Sequence, residues 1–243
     1  MIERAKLISR LNAYLNTDNA PEQNGLQVEG RPRIGRIVFG VSASMALFEA
    51  AAKAGADMII THHGLIWDKP QKITGLFGRR VSFLIKNNIN LAAWHLPLDM
   101  HPAAGNNARL AKTLGLKNIK PFGDYHGLAI GVKGSLKPAL DIKQIHQKLG
   151  GECLPFGPQK VSSAAIVSGG AHSMLEQAAQ AGVGLYITGS RDEYVLEYAK
   201  EAKINFIAMG HYNSERAGVQ ALMKYVAAEF NVKVEFIDVP NPF

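Results

Sequence analysis

The chain has 243 residues, 47% of them hydrophobic and 19% charged, enough for one large or two small domains whose core folds without staples. No apolar run reaches the roughly 18 residues a membrane span needs, and the lone Cys153 excludes both an intrachain disulfide and a thiolate-rich metal site. The net charge of +7 comes from scattered Lys and Arg, whose densest group, Arg31, Arg33 and Arg36, is a small patch, so nucleic-acid binding is not expected as a main role.

Met1 to Lys6 reads as the start of a helix and lacks a signal-peptide pattern, which with the single cysteine suits a reducing cytoplasm. Ile2, Ala5, Leu7, Ile8, Leu11, Tyr14 and Leu15 continue that helix over 2–16. Residues 17–33, with Pro21, Gly25, Gly30 and Pro32, read as a long loop. Within it lies Asn24-Gly25-Leu26-Gln27-Val28-Glu29-Gly30, and such loops are often functional or pack an interface. A strand is expected over 34–41. An Ala-rich helix follows over 42–54, with Ser42 or Ser44 as its cap and Gly55 as its stop. Residues 58–61 read as a strand ending in His62-His63, 64–80 as a loop, 81–86 as helix, and 89–94 as a strand ending at His95. A helix over 102–114 would carry Pro102 in its first turn. Further on, 127–133 reads as a strand and 141–149 as a helix. Cys153, Pro155, Gly157 and Pro158 mark a linker, 215–230 is the last helix, and 232–239 is a closing strand. Strands alternating with helices predict an α/β layer structure.

The pattern occurs twice. Residues 165–188 align without gaps on 38–61, so that Glu49, Ala51, Ala52, Ala54, Gly55, Ile60 and Thr61 match Glu176, Ala178, Ala179, Ala181, Gly182, Ile187 and Thr188. Ile89-Asn90-Leu91 then resembles Ile204-Asn205-Phe206. With one residue inserted, His95 falls on His211 and Asp99 on Glu215; with the second copy then three residues shorter, Ala104-Gly105 corresponds to Ala217-Gly218. This predicts an internal duplication with two similar α/β halves, 1–125 and 126–243.

Ligand sites in α/β sheets lie beyond the carboxyl ends of the strands. His62-His63, His95 with Asp99, and His211 with Glu215 all fall at such ends, and Thr188-Gly189-Ser190-Arg191-Asp192 takes the fourth equivalent place. These imidazoles and carboxylates exceed the needs of one metal. They suit two divalent ions sharing a bridging carboxylate, Asp99 or, with its longer arm, Glu215. Adjacent side chains of an extended strand diverge, so His62 and His63 suit one metal each. His95 is a ligand, a proton shuttle or a residue that orients a ligand. With no thiolate set, zinc, iron, manganese or nickel is favoured. His101, His126, His146 and His172 read as surface or loop residues, and Cys153 as a small apolar one. There is no Gly-x-Ser-x-Gly elbow and no Walker loop, and Ser168-Gly169-Gly170 is only a weak phosphate cradle.

Thr61-His62-His63-Gly64-Leu65-Ile66-Trp67, His95-Leu96-Pro97-Leu98-Asp99 with Gly105-Asn106-Asn107, Gly210-His211-Tyr212-Asn213-Ser214-Glu215 and the Asn24–Gly30 stretch together resemble the GTP cyclohydrolase 1 type 2 homologues, also called the Ngg-interacting-factor-like family. The resemblance runs from the first helix to the last strand. It implies two intertwined α/β halves with a dinuclear metal centre between them and, in a chain this short, no inserted third domain. Carried over by motif, His63 and Asp99 hold one metal, His62 and His211 the other, and Glu215 bridges. The family's usual Pro after the His pair is Gly64 here. Toroidal homohexamers are implied, as is cyclohydrolase-like hydrolysis of a nucleotide-like small molecule. The alternative is a non-catalytic metal-binding or scaffold protein that binds protein partners or DNA. A shared fold does not fix a substrate.

Overall fold

Near-continuous apolar runs form strands buried on both faces, and helices with one apolar stripe cover them. The protein is described by a computed structural model covering residues 1–20 and 22–243; Pro21, in the expected loop, lies outside the described residues. The chain divides into two units, Met1–Ala104 with Gly218–Pro240, and Gly105–Ala217 with Asn241–Phe243.

The first unit opens with β1 (Ile2–Glu3) and α1 (Arg4–Leu15), which buries Leu7, Leu11 and Leu15 and ends at left-handed Asn16. There follow β2 (Gly25–Val28), β3 (Arg33–Ile34) and β4 (Arg36–Ser42). Helix α2 (Met45–Lys53) is capped by Ser44, whose hydroxyl accepts the Leu47 amide at 3.3 Å. Then come β5 (Met58–His63), α3 (Gly75–Lys86), β6 (Asn90–Ala93) and the short α4 (Leu96–Met100).

The second unit contains α5 (Asn106–Leu114), β7 (Lys117–Tyr125), β8 (Leu128–Asp141), α6 (Ile142–Leu149), β9 (Glu152–Pro155) and β10 (Lys160–Ile166). It continues with α7 (Leu175–Gln180), β11 (Leu185–Thr188), α8 (Val195–Glu201) and β12 (Asn205–Ala208). Helix α9 (His211–Glu229) begins among the residues of the second unit and ends among those of the first, where β13 (Lys233–Phe236) follows.

Several sequence expectations are corrected. The loop over 17–33 contains β2, an antiparallel neighbour of β6. The expected linker at Cys153 is β9, antiparallel to β12. Both are too short and too rich in turn residues to show a strand period. The helix expected over 102–114 starts only at Asn106, and the prolyl residue in a first helical turn is Pro97 of α4. The boundary drawn at 125/126 also differs from the observed division. Helix α5 packs on β8 and β10, and β13 pairs with β4, so the first unit draws on two separate stretches of chain.

The main sheets run β13-β4-β5-β6-β2, with β13, β4, β5 and β6 parallel and β2 antiparallel beside β6, and β7-β8-β10-β11-β12-β9, with β10, β11 and β12 parallel and β9 antiparallel beside β12. The registers repeat the sequence alignment: Val38 pairs with Ile59 as Ala165 does with Tyr186, and Ile59 with Leu91 as Tyr186 does with Phe206. A buried asparagine is duplicated as well. Asn90 Oδ1 accepts the Gly30 amide at 2.8 Å, and its Nδ2 donates to the carbonyls of Arg31 and Asp57, each at 2.9 Å. Asn205 Oδ1 accepts the Gly157 amide at 3.0 Å, and its Nδ2 donates to the carbonyls of Pro158 and Gly184 at 2.9 and 3.0 Å.

Each side chain thus ties the segment after an antiparallel strand to the parallel sheet. Buried polar groups stripped of a partner cost about 1–3 kcal/mol apiece. Asn90→Ala and Asn205→Ala are therefore each expected to lose about 2–4 kcal/mol, the cost of orphaning more than one such group. Urea unfolding followed by circular dichroism measures this, and an unchanged midpoint in either variant would refute the clasp.

Candidate metal centre

Strand β5 carries the His pair to its own last residues. His62 is fully buried, and its Nδ1 lies 3.1 Å from the Trp94 carbonyl oxygen. A carbonyl only accepts, so Nδ1 holds the proton and Nε2 the lone pair. Nε2 sits 3.5 Å from Asp99 Oδ2, itself 7% exposed on α4. Two acceptors this close, out of water, require positive charge on or between them, a proton or a metal ion. His63 follows on the strand, its Nδ1 3.0 Å from Ser42 Oγ.

His95, expected at the end of the third strand, is the residue from which α4 starts. Its ring centroid lies 4.8 Å from that of His62 and 5.5 Å from that of His63, and one ligand atom from each of the three lies within 4.8 Å of the others. His95 Nδ1 is 2.8 Å from Glu22 Oε1, while Glu22 Oε2 accepts the Leu96 amide at 3.1 Å and Asn24 Oδ1 accepts the His95 amide at 2.9 Å. Burial pushes the Glu22 carboxyl up. The hydrogen bond from His95, the Leu96 amide and, whenever those rings are protonated, the charges of His95 and His62 outweigh burial and hold it below its ordinary value. Glu22 was missed in the sequence: its loop drew notice, but a single carboxylate there has no period or motif. Gln27, from the same segment, accepts the amides of Leu65 and Ile66 at 2.7 and 3.1 Å and so fixes the chain leaving the His pair. Trp67 meets His95 edge-on, centroids 5.1 Å apart.

In the second unit, His211 and Glu215 share the first turns of α9, with Nε2 to Oε1 at 3.3 Å and Glu215 buried. Ser214 Oγ donates to the His211 carbonyl at 2.8 Å and accepts the Gly169 amide at 2.9 Å. Gly169, at φ +69°, abuts the pair: a Cβ there would collide with Glu215 Oε1 and lie 3.3 Å from His211 Nε2. A Cβ on Gly189 would lie 2.6 Å from Ser214 Oγ and 2.7 Å from His211 Cα. The Gly169 amide is bonded to Ser214 and the Ser168 amide to Asn107 Oδ1 at 2.7 Å, so these two amides of the 168–170 turn are already engaged within the protein. Arg191 is paired with Glu152. His172, expected as an ordinary loop residue, has Nδ1 3.2 Å from Ser190 Oγ.

The donor set fits a divalent metal: neutral imidazoles oriented through their second nitrogen, buried carboxylates, and no thiolate. Buried His, Asp and Glu groups that could hold a metal ion are thus present.

Gly169→Ala and Gly182→Ala both place alanine at positive φ, at a backbone cost of about 1 kcal/mol. Around Gly182 a Cβ meets nothing within 4 Å. Divalent-ion affinity, read by calorimetric titration, is therefore expected to fall roughly tenfold or more in Gly169→Ala only. Equal affinities in the two variants would show that the Gly169 contact does not set the pair.

The Duf34/NIF3 (NGG1p interacting factor 3) family model matches residues 2–242. Among curated proteins, the GTP cyclohydrolase 1 type 2 homolog of Archaeoglobus fulgidus is 42% identical, covering 95% of this chain and 93% of that one. The homolog of Pseudomonas aeruginosa is 41% identical over 99% of both. Among solved structures, a protein named ybgI, of unknown function, superposes with a TM-score of 0.90 at 36% identity over the whole of both chains. A Thermus thermophilus protein gives 0.92 at 32%, again over both whole chains. The architecture is the mixed α/β fold of these neighbours, and the chain belongs to the Duf34/NIF3 family.

Proposed function

We propose that this protein is a dinuclear metal-dependent hydrolase acting on a nucleotide-like small molecule. The observation that carries the reading is the buried His62 Nε2 set 3.5 Å from the Asp99 carboxylate beside two further imidazoles, a donor set that a divalent ion would satisfy. In this reading His62, His63 and Asp99 of the first unit and His211 and Glu215 of the second would be the residues that hold the ions. Zinc, iron, manganese or nickel suits the donors. Bound as a pair, such ions supply Lewis acidity and activate water.

The remaining tasks belong to the chain. The Trp94 carbonyl and Ser42 hydroxyl hold the His pair in orientation, and Gln27 secures the segment that follows it. Trp67 touches His95 and forms part of the wall of a cavity of about 580 Å³, with Gln27, Ile66, Phe77, Val81 and Ile85. That largely apolar lining suits a flat heterocycle, and the relatives named as GTP cyclohydrolase homologs agree with a purine-like one. The reading includes a homohexamer and a cytoplasmic setting.

Elemental analysis of untagged protein is expected to find about two divalent ions per chain, falling in His63→Ala, with turnover of some member of a nucleotide panel by the loaded protein. Absence of metal, with none taken up from zinc, iron or manganese, would overturn the reading. A native mass other than six times the 26.3 kDa chain would overturn the hexamer alone.

A further inference from the structure

Glu22 spends both carboxylate oxygens on one corner of the first unit, Oε1 on His95 Nδ1 at 2.8 Å and Oε2 on the Leu96 amide at 3.1 Å. Two residues on, Asn24 takes the His95 amide at 2.9 Å. One short stretch therefore grips the His95 side chain, its own amide and the next. A carboxylate only accepts, so the shared proton sits on His95 Nδ1 and leaves Nε2 as the lone-pair nitrogen. His95 then has the same arrangement as His62, whose Nδ1 is held by the Trp94 carbonyl, and their rings lie 4.8 Å apart.

We propose that His95 is a metal-ligating nitrogen donor alongside His62 and His63, and that Glu22 is its positioning residue. The assignment rests on the metal centre proposed above and settles on one of the roles open to His95, a residue that the family resemblance does not place among the ligands. An imidazole intended only to fill space needs no carboxylate behind it. One that must present a chosen nitrogen to a cation does, because the carboxylate fixes the tautomer and raises the basicity of the opposite nitrogen. Trp67, edge-on at 5.1 Å, restricts the ring further.

The test compares wild type with Glu22→Ala, Glu22→Gln, His95→Ala and His63→Ala by zinc competition titration and by long-range proton–nitrogen spectra of the histidine rings without metal. Glu22→Ala and His95→Ala are expected to bind zinc roughly ten- to a hundredfold more weakly. Glu22→Gln, which keeps one acceptor but turns an amide towards the other donor, should fall between. The spectra should show Nδ1 protonated on His95 in wild type, and a shift towards the Nε2-protonated tautomer in Glu22→Ala, which a role confined to loop stability would not produce. Zinc affinity within twofold of wild type in Glu22→Ala and His95→Ala, with loss in His63→Ala, would overturn this assignment and leave the metal centre standing. No zinc binding by wild type would instead overturn the metal centre itself. An unchanged His95 tautomer in Glu22→Ala would also overturn the role given to Glu22.

Discussion

Each half depends on one buried amide side chain reaching across from a parallel strand to the segment that follows its antiparallel neighbour. Asn90 holds Gly30 and Arg31; Asn205 holds Gly157 and Pro158. In the first unit this anchors β2, and with it the stretch that delivers Glu22 and Asn24 to His95 and Gln27 to the turn after His63. In the second unit the anchored strand is β9, whose first residue, Glu152, pairs with Arg191. The same clasp therefore sets a histidine-bearing corner in one half and an ion pair in the other.

The halves share registers but diverge at the strand ends, where chemistry is decided. His62-His63 in the first corresponds to Gly189-Ser190 in the second, and Ser42 corresponds to Gly169. A side chain at Gly189 would strike Ser214 and the backbone of His211. The first turn of α9 thus occupies the space that a second His pair would need. Duplication supplied two equivalent positions, and packing kept only one of them open to imidazoles.

Much of this was legible in the residues. Parallel strands buried on both faces, such as Met58–Ile60, announce themselves as apolar runs, and the alignment of 38–61 with 165–188 follows from spacing alone. The His-rich strand ends stood out because imidazoles are scarce in the chain. The edge strands β2 and β9 did not, because four residues among Gly and Pro carry no periodicity and their pairing is set by a distant asparagine. Glu22 was hidden for a related reason: its partner lies 73 residues away, and only the fold brings them together. Asn106, inside the expected helix, proved to be its first residue, since Pro97 and His95 build a separate short turn before it.

Residues 36–39 pair with a parallel strand from near the chain's end, whereas the equivalent residues 163–166 pair with antiparallel β8, made just before them. During synthesis the second sheet can close as it emerges. The first cannot: one flank of β4 stays open, an apolar edge able to recruit stray strands, until Lys233–Phe236 leave the ribosome. The half bearing the His pair is thus the first to begin and the last to be sealed, so a nascent chain stalled ahead of β13 exposes an aggregation-prone strand that the finished protein never shows.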